Sequence, residues 1–197
     1  MSKQNQRPIP VTREMVARAY YQVKRKGGSS GVDGESLSVF EKQLSHKLYK
    51  IWNRMSSGSY FPPAVREVEI PKPNGQKRPL GIPRVGDRVA QSVVKMYIED
   101  RLEQVFDEHS YGYRPSRSAH EAIKQVGQNC RSYAWVIDLD IKSFFERIDH
   151  SLLMQAVEKH VEEKWVKMYL QRWLSMPIEK SKGKREKRQG RGPPREE

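Results

Sequence analysis

Asp138 and Asp140 stand two apart in the apolar run "WVIDLDIKSFFERIDH", residues 135–150. Read as a strand, the run sends both carboxylates to one face, roughly 6.6 Å apart along the chain. Val136 shares that face; Ile137, Leu139 and Ile141 take the other. A carboxylate among buried apolar groups is costly unless it is paired or holds a cation. Two partners are open. One is a divalent cation, Mg²⁺ first, because it accepts one or two carboxylates together with substrate phosphates. The other is a set of ion pairs with some of the 37 lysines and arginines. A D-x-D by itself does not decide between them.

Two further clusters carry chemistry. "PKPNGQKRPLGIP" sets Lys72, Lys77 and Arg78 around an Asn74-Gly75 turn. Lysine as a point charge and arginine as a planar fork both suit phosphate, and a solvated hairpin tip would look the same. "YGYRPSRS" interleaves Tyr111 and Tyr113 with Arg114 and Arg117. Aromatic faces stack bases and arginines hold phosphates; the alternative is a packed loop with Arg114 bridging carbonyls. The five histidines show no metal-ligand spacing beside acids, no Ser-His-Asp arrangement can be drawn, and "GGSSG" lacks the G-K-[ST] ending of a phosphate-binding loop.

Composition narrows the partners. Over 197 residues, 37 Lys and Arg against 24 Asp and Glu give a net charge of +13. That favours a polyanion, nucleic acid before anionic membrane. Cys130 is the only cysteine, so an intramolecular disulfide and a cysteine-based zinc site are excluded, as suits a reducing compartment. The polar start "MSKQNQRPIPVT" is unlike a signal peptide. No run reaches the ~20 apolar residues of a membrane span. The expectation is a soluble intracellular protein with no membrane partner.

The elements that must hold these residues follow from periodicity. Residues 1–12 read as a disordered lead-in. Residues 13–25 have helical spacing through Met15, Val16, Tyr20 and Val23, and the glycine-rich "KGGSSGVDGES" breaks it. Helical spacing resumes through Leu37, Phe40, Leu44, Leu48 and Trp52. A hairpin turning at Asn74-Gly75 comes next. "DRVAQSVVKMYIEDRLEQVF" is an amphipathic helix with Asp87 as its N-cap. A loop, another helix and the strand at 136–141 follow. Asp149 caps one long helix carrying Leu153, Val157, Val161, Trp165, Tyr169 and Trp173, and a charged hairpin turns near Lys182-Gly183. This order argues a helix-rich α+β fold.

At these residues the chain resembles the reverse transcriptase domain of group II intron-encoded maturases. "DIKSFFERIDH" looks like that family's first catalytic motif, and "GGSSGVDG", "PKPNGQKRPLGIPRVGDRVAQ" and "HSYGYRPSRSAHEAI" match its upstream motifs in order, over about residues 13–188. The resemblance implies a right-hand polymerase: an N-terminal extension and fingers over 13–110, then a fingers and incomplete palm portion over 111–188. It assigns Asp140 as the catalytic, metal-binding aspartate and the Ile141 carbonyl as a further ligand, leaving Asp138 as a neighbour. Lys72 and Arg78 would contact the triphosphate. Ser143 and Phe144 would offer it backbone N–H groups. Phe145 would lie under the sugar and clash with a 2′-hydroxyl. The aromatic rings of Tyr111 and Tyr113, with Arg114 and Arg117, would lie near the template. Implied partners are intron and template RNA, primer DNA, deoxynucleoside triphosphates and Mg²⁺.

The family continues where this chain diverges. A "TPQGG" loop and a "YADD" hairpin with the other catalytic aspartates are expected, and the chain instead ends "EKRQGRGPPREE". R-G-P-P-R-E-E can be encoded so that a frame two bases later reads G-T-P-Q-G-G. Residues 189–197 are therefore expected to be an aberrant, frameshifted tail, which the gene's nucleotide sequence checks. One aspartate cannot hold two cations, so the fragment is expected to be inactive alone unless a downstream fragment or a dimer partner completes it. Its first alternative is a non-catalytic module gripping intron RNA to assist splicing. A generic Mg²⁺-dependent nuclease is a third reading, which leaves the ordered motifs without a reason.

Overall fold

The computed structural model describes residues 9–71, 75, 77–180 and 185–186. Helix α1 (Arg13–Lys26) starts where the Thr12 hydroxyl accepts from the Met15 N–H at 3.1 Å. It buries Val16, Ala19, Tyr20 and Val23 on one stripe. It ends at Gly27, whose φ of +72° suits a residue without Cβ. The next helical run is not continuous: α2 (Leu37–Glu41) is capped by Ser36, and α3 (Leu44–Ser56) restarts after a turn at Lys42 and Gln43.

Strands β1 (Val65–Pro71) and β2 (Lys77–Ile82) form the expected antiparallel hairpin, with Val68 opposite Leu80 and Ile70 opposite Arg78. Helix α4 (Val85–Glu103) packs against α1 and α3. Beyond it come α5 (Ala119–Ser132), α6 (Phe144–Arg147), α7 (His150–His160) and α8 (Lys164–Leu174), then two short strands, β3 (Ile178–Glu179) and β4 (Arg185–Glu186). The sheet order is β2-β1-β3-β4. The last two strands pair antiparallel, as the charged hairpin predicts, and their turn at 181–184 lies outside the described residues. β3 runs parallel to β1, with the Val65 N–H donating to the Pro177 carbonyl at 2.9 Å.

One core joins both ends of the chain. Val16, Tyr20, Met55, Val85, Val89 and Val93 meet Val161, Val166 and Tyr169 there, all buried. Fully burying a side chain of this size contributes on the order of 1.5–3 kcal/mol. Residues between about 105 and 150 stand outside that core; α5 has no buried side chain.

Four expectations need correction. The lead-in is ordered at least from Ile9: Val11 is buried, and its carbonyl accepts from the Trp52 indole N–H at 3.0 Å. Asp87 is not the N-cap of α4; Arg84 holds that position, and Asp87 turns into the core at 1% exposure. The long C-terminal helix is two helices. Asp149 does cap the first, accepting from the Ser151 and Leu152 N–H groups at 2.7 and 3.1 Å. The break between them comes from tertiary contacts: Val161 adopts an extended conformation that buries its side chain, and Glu163 pairs with Arg101 at 2.9 Å. Finally, 136–141 joins no sheet. A strand needs a ladder partner, and among the described residues the sheet is built from β1 to β4 alone.

Candidate functional site

The segment around Asp140 runs from the end of α5 towards the start of α7. α5 is fixed at its start by a reciprocal cap, Ser118 with Glu121, and Asp149 fixes the start of α7. Between them the chain is extended and bare: Ile137 is 81% and Leu139 87% exposed. Asp138 and Asp140 are exposed too, and neither forms a salt bridge among the described residues. Among the described residues the ion-paired alternative for these carboxylates is therefore not found.

Ser143 turns the chain sharply, with a left-handed φ of +55°. The turn lets the Phe144 N–H donate to the Ile141 carbonyl at 3.2 Å, and the Arg147 N–H to the Ser143 carbonyl at 3.0 Å. Two groups that the resemblance assigns to separate ligands, the Phe144 N–H and the Ile141 oxygen, are here bonded to each other. Strand alternation would send the Phe144 ring inward and leave Phe145 out. In the short helix α6 both rings are partly exposed and meet edge to face at 5.4 Å between centroids. Asp140, Ile141, Lys142, Phe144, Arg147 and Ile148 line an open depression of ≈ 610 Å³.

The donor set does not fit a two-metal centre. Among the described residues no three His, Cys, Asp or Glu side chains come together. Two bridged cations need several carboxylates, and Asp140 with one backbone carbonyl falls short of that. The acidic groups such a centre requires have to come from outside the described residues.

Lys72 lies outside the described residues. Arg78 is placed by strand register on the side of β2 that carries Leu80 and Ile82, opposite Ile70. It is half-buried and has no carboxylate partner among the described residues. Lys77 falls on the other side, as alternation requires, and pairs with Glu69 at 2.8 Å. Of Lys77 and Arg78, Arg78 is thus the one left open to an anion.

In "YGYRPSRS" the two arginines separate. Arg114 is 9% exposed at its side chain and bound to the Glu103 carboxylate at 3.0 Å and to the Asp107 and Ser110 carbonyls at 2.7 and 2.9 Å. It bridges carbonyls and ties the loop to the end of α4. Tyr113 is 96% exposed with φ +57°, and the Arg117 guanidinium lies over the Tyr111 ring at 5.4 Å. Tyr111, Tyr113 and Arg117 form the outward surface of the loop.

Two positioning features escaped the sequence. Asp87 accepts from the Tyr60 hydroxyl at 2.8 Å, the Trp173 indole at 3.0 Å and the Gln91 amide at 3.0 Å. Burial pushes its carboxyl up, and these hydrogen bonds pull it part of the way back. The second is the glycine loop: Arg88 donates to the Gly27 and Ser29 carbonyls at 2.8 and 3.0 Å. Gly31 lies so close to Arg84 that a Cβ would sit 2.7 Å from its backbone nitrogen. The density of glycines was the visible signal for a close approach; the partner was not.

Comparison with known proteins places this geometry. The family model described as reverse transcriptase (RNA-dependent DNA polymerase) matches residues 70–194. Protein YkfC of Escherichia coli (strain K12) is 38% identical over 138 residues, 68% of this chain and 36% of that protein. The group II intron-encoded protein LtrA of Lactococcus lactis subsp. cremoris is 32% identical over 151 residues, 76% of this chain and 25% of that protein. The chain thus spans about a third or less of the length of these relatives. A partial Cas6-RT-Cas1–Cas2 complex shares the fold, with a TM-score of 0.59 at 19% identity over 93% of this chain and 30% of that one. The family match begins in β1 and runs through the hairpin, the tyrosine–arginine loop and the Asp140 turn, more than half of the sequence: the chain belongs to the reverse transcriptase family, with group II intron-encoded proteins among its relatives.

Proposed function

We propose that this chain is the fingers and the opening part of the palm of an RNA-directed DNA polymerase of the group II intron maturase kind. Residues 13–110 serve as N-terminal extension and fingers, and 111–188 as the fingers and palm portion. Its substrates are template RNA, a DNA primer and deoxynucleoside triphosphates, and its setting is a bacterial cytoplasm. Asp140 contributes one acidic group for Mg²⁺, with Lys72 and Arg78 at the triphosphate, and Ser143, Phe144 and Phe145 beside the nucleotide. Tyr113 and Arg117 face the template strand. The observation that carries the proposal is the order of these motifs within one family match, residues 70–194.

A second reading is favoured by the donor set: the chain acts as a non-catalytic RNA-binding module. Among the described residues no metal-holding cluster exists, whereas the net charge of +13 suits RNA without any cation. A primer-extension assay with RNA template, DNA primer and Mg²⁺, run beside an RNA-retention measurement, tests both. The chain alone should retain RNA in a strongly salt-dependent way and incorporate no nucleotide. Incorporation would show that the polymerase is complete; failure to hold RNA at low salt would remove both readings.

A further inference from the structure

Away from the family's motifs, α1 and α3 carry an exposed site of their own. The Arg13 guanidinium lies over the Trp52 ring at 4.4 Å and the Tyr49 ring at 5.2 Å. Trp52 is fixed from below by its bond to the Val11 carbonyl, and Tyr49 tilts against it at 5.5 Å between centroids. Tyr49 nevertheless stays 47% exposed. Arg13, Ser45, Leu48 and Tyr49 line a depression of ≈ 300 Å³ beside that ring. This is the lower end of the ~300–1,000 Å³ of ligand clefts. Arg13 has no salt bridge among the described residues, so its charge is uncompensated; Glu14, the one adjacent acid on α1, projects about a quarter turn away. From Lys42 to Arg66 the sequence has no Asp or Glu at all; Lys50 and Arg54 stand on α3 more than a quarter turn round from Tyr49, and Lys47 is paired with Glu35.

A flat exposed ring and a guanidinium held beside it without a carboxylate partner suit a ligand with both an aromatic plane and a phosphate. The geometry points to a nucleobase-stacking site for single-stranded RNA, with Tyr49 as the platform and Arg13 as the phosphate anchor. An anionic lipid surface would use the charge but leave the ring and its depression without a role. A protein partner would have to be acidic and present its own aromatic edge. The inference rests only on the nucleic-acid-binding part of the proposed function and uses none of the residues around Asp140.

The test measures fluorescence anisotropy of the whole chain with a short labelled oligouridine and with an abasic oligonucleotide of equal length. The intact protein should prefer the oligouridine. Tyr49→Ala should weaken oligouridine binding by about five- to tenfold or more and erase that preference, Tyr49→Phe should keep both, and Arg13→Gln should weaken both ligands. Circular dichroism and thermal unfolding of the variants should match the parent, because Tyr49 is half exposed. Equal binding of the abasic strand, an unaffected Tyr49→Ala, or Tyr49-dependent binding to phosphatidylglycerol vesicles without oligouridine binding would overturn the site. If the parent binds no oligonucleotide, the proposed function falls with it; if the parent binds and Tyr49→Ala is silent, only this site falls.

Discussion

The Tyr60 hydroxyl donates to the Asp87 carboxylate across 2.8 Å in the middle of the core. Trp173 and Gln91 donate to the same carboxylate, so the approach to β1, helix α4 and helix α8 meet at one acidic side chain. Removing the acceptor orphans two buried donors, each worth about 1–3 kcal/mol when unsatisfied, and the half-buried Gln91 amide. Asp87→Ala should therefore be among the most damaging single changes, at about 3 kcal/mol or more, and Tyr60→Phe should cost about 1–3 kcal/mol. Urea unfolding followed by Trp fluorescence measures both; a Tyr60→Phe variant as stable as the parent would mean that the bond contributes nothing.

The same carboxyl makes a signed pH prediction. Burial raises its folded pKa above the ordinary aspartate value of about 3.9. A group raised on folding contributes stability that is fully present below its unfolded pKa and lost as pH rises through the folded one. Asp149 and Glu163 are shifted down and act oppositely, losing their contribution as pH falls. The difference between parent and Asp87→Asn isolates the buried group: relative to the variant, the parent should lose stability as pH climbs from about 4 towards neutrality. A difference that stays flat across that window would place the ionisation elsewhere.

Gly31 should not tolerate a side chain. Its would-be Cβ meets Arg84 backbone atoms, not the end of a flexible side chain, and overpacking of that kind costs about 1–3 kcal/mol. Gly31→Ala should lower the unfolding midpoint and loosen the glycine loop, seen as faster amide exchange over residues 27–34. Unchanged exchange would show that the loop has room to shift.

Arg114 ties its loop through a planar fork reaching Glu103 and two carbonyls. Lysine cannot reproduce that geometry. Arg114→Lys should expose residues 107–118 to limited proteolysis, whereas Tyr113→Ala, at a fully exposed ring, should leave the cleavage pattern unchanged. Equal patterns for parent and Arg114→Lys would show that the loop is held by other contacts.

The bare apolar segment predicts poor behaviour in solution. Ile137 and Leu139 are exposed within an extended run that no ladder among the described residues protects, the kind of surface that drives edge-to-edge association. Ile137→Lys should raise the concentration at which the chain stays monomeric in light scattering, with no change in its thermal midpoint. A lowered midpoint would mean that Ile137 contributes to the core after all.

Local signals in the sequence reached as far as local causes do. α1, the hairpin and the Asp149 cap follow from spacing, an Asn-Gly turn and a capping side chain, each acting within a few residues. Asp87 was misplaced because its three donors lie on separate elements, and only packing brings Tyr60 and Trp173 to it. Val161 carries no breaker of its own; the core draws it out of the helix. The strand at 136–141 has the right alternation, but pairing needs a neighbour as well as a pattern. Around Asp140 the residue types were legible and the contacts were not: the Phe144 N–H bonds the Ile141 oxygen, and Arg114 turns inward while Arg117 turns out.

The Tyr169 hydroxyl reaches the Met55 carbonyl over 114 residues of chain, and the parallel join of β1 to β3 spans a similar stretch. On the ribosome, the N-terminal helices therefore emerge long before the wall that closes over them. Until α8 is released, the side of Met55 and Val65 that it covers lies open, and the nascent chain carries an unfinished core that a chaperone would have to shield.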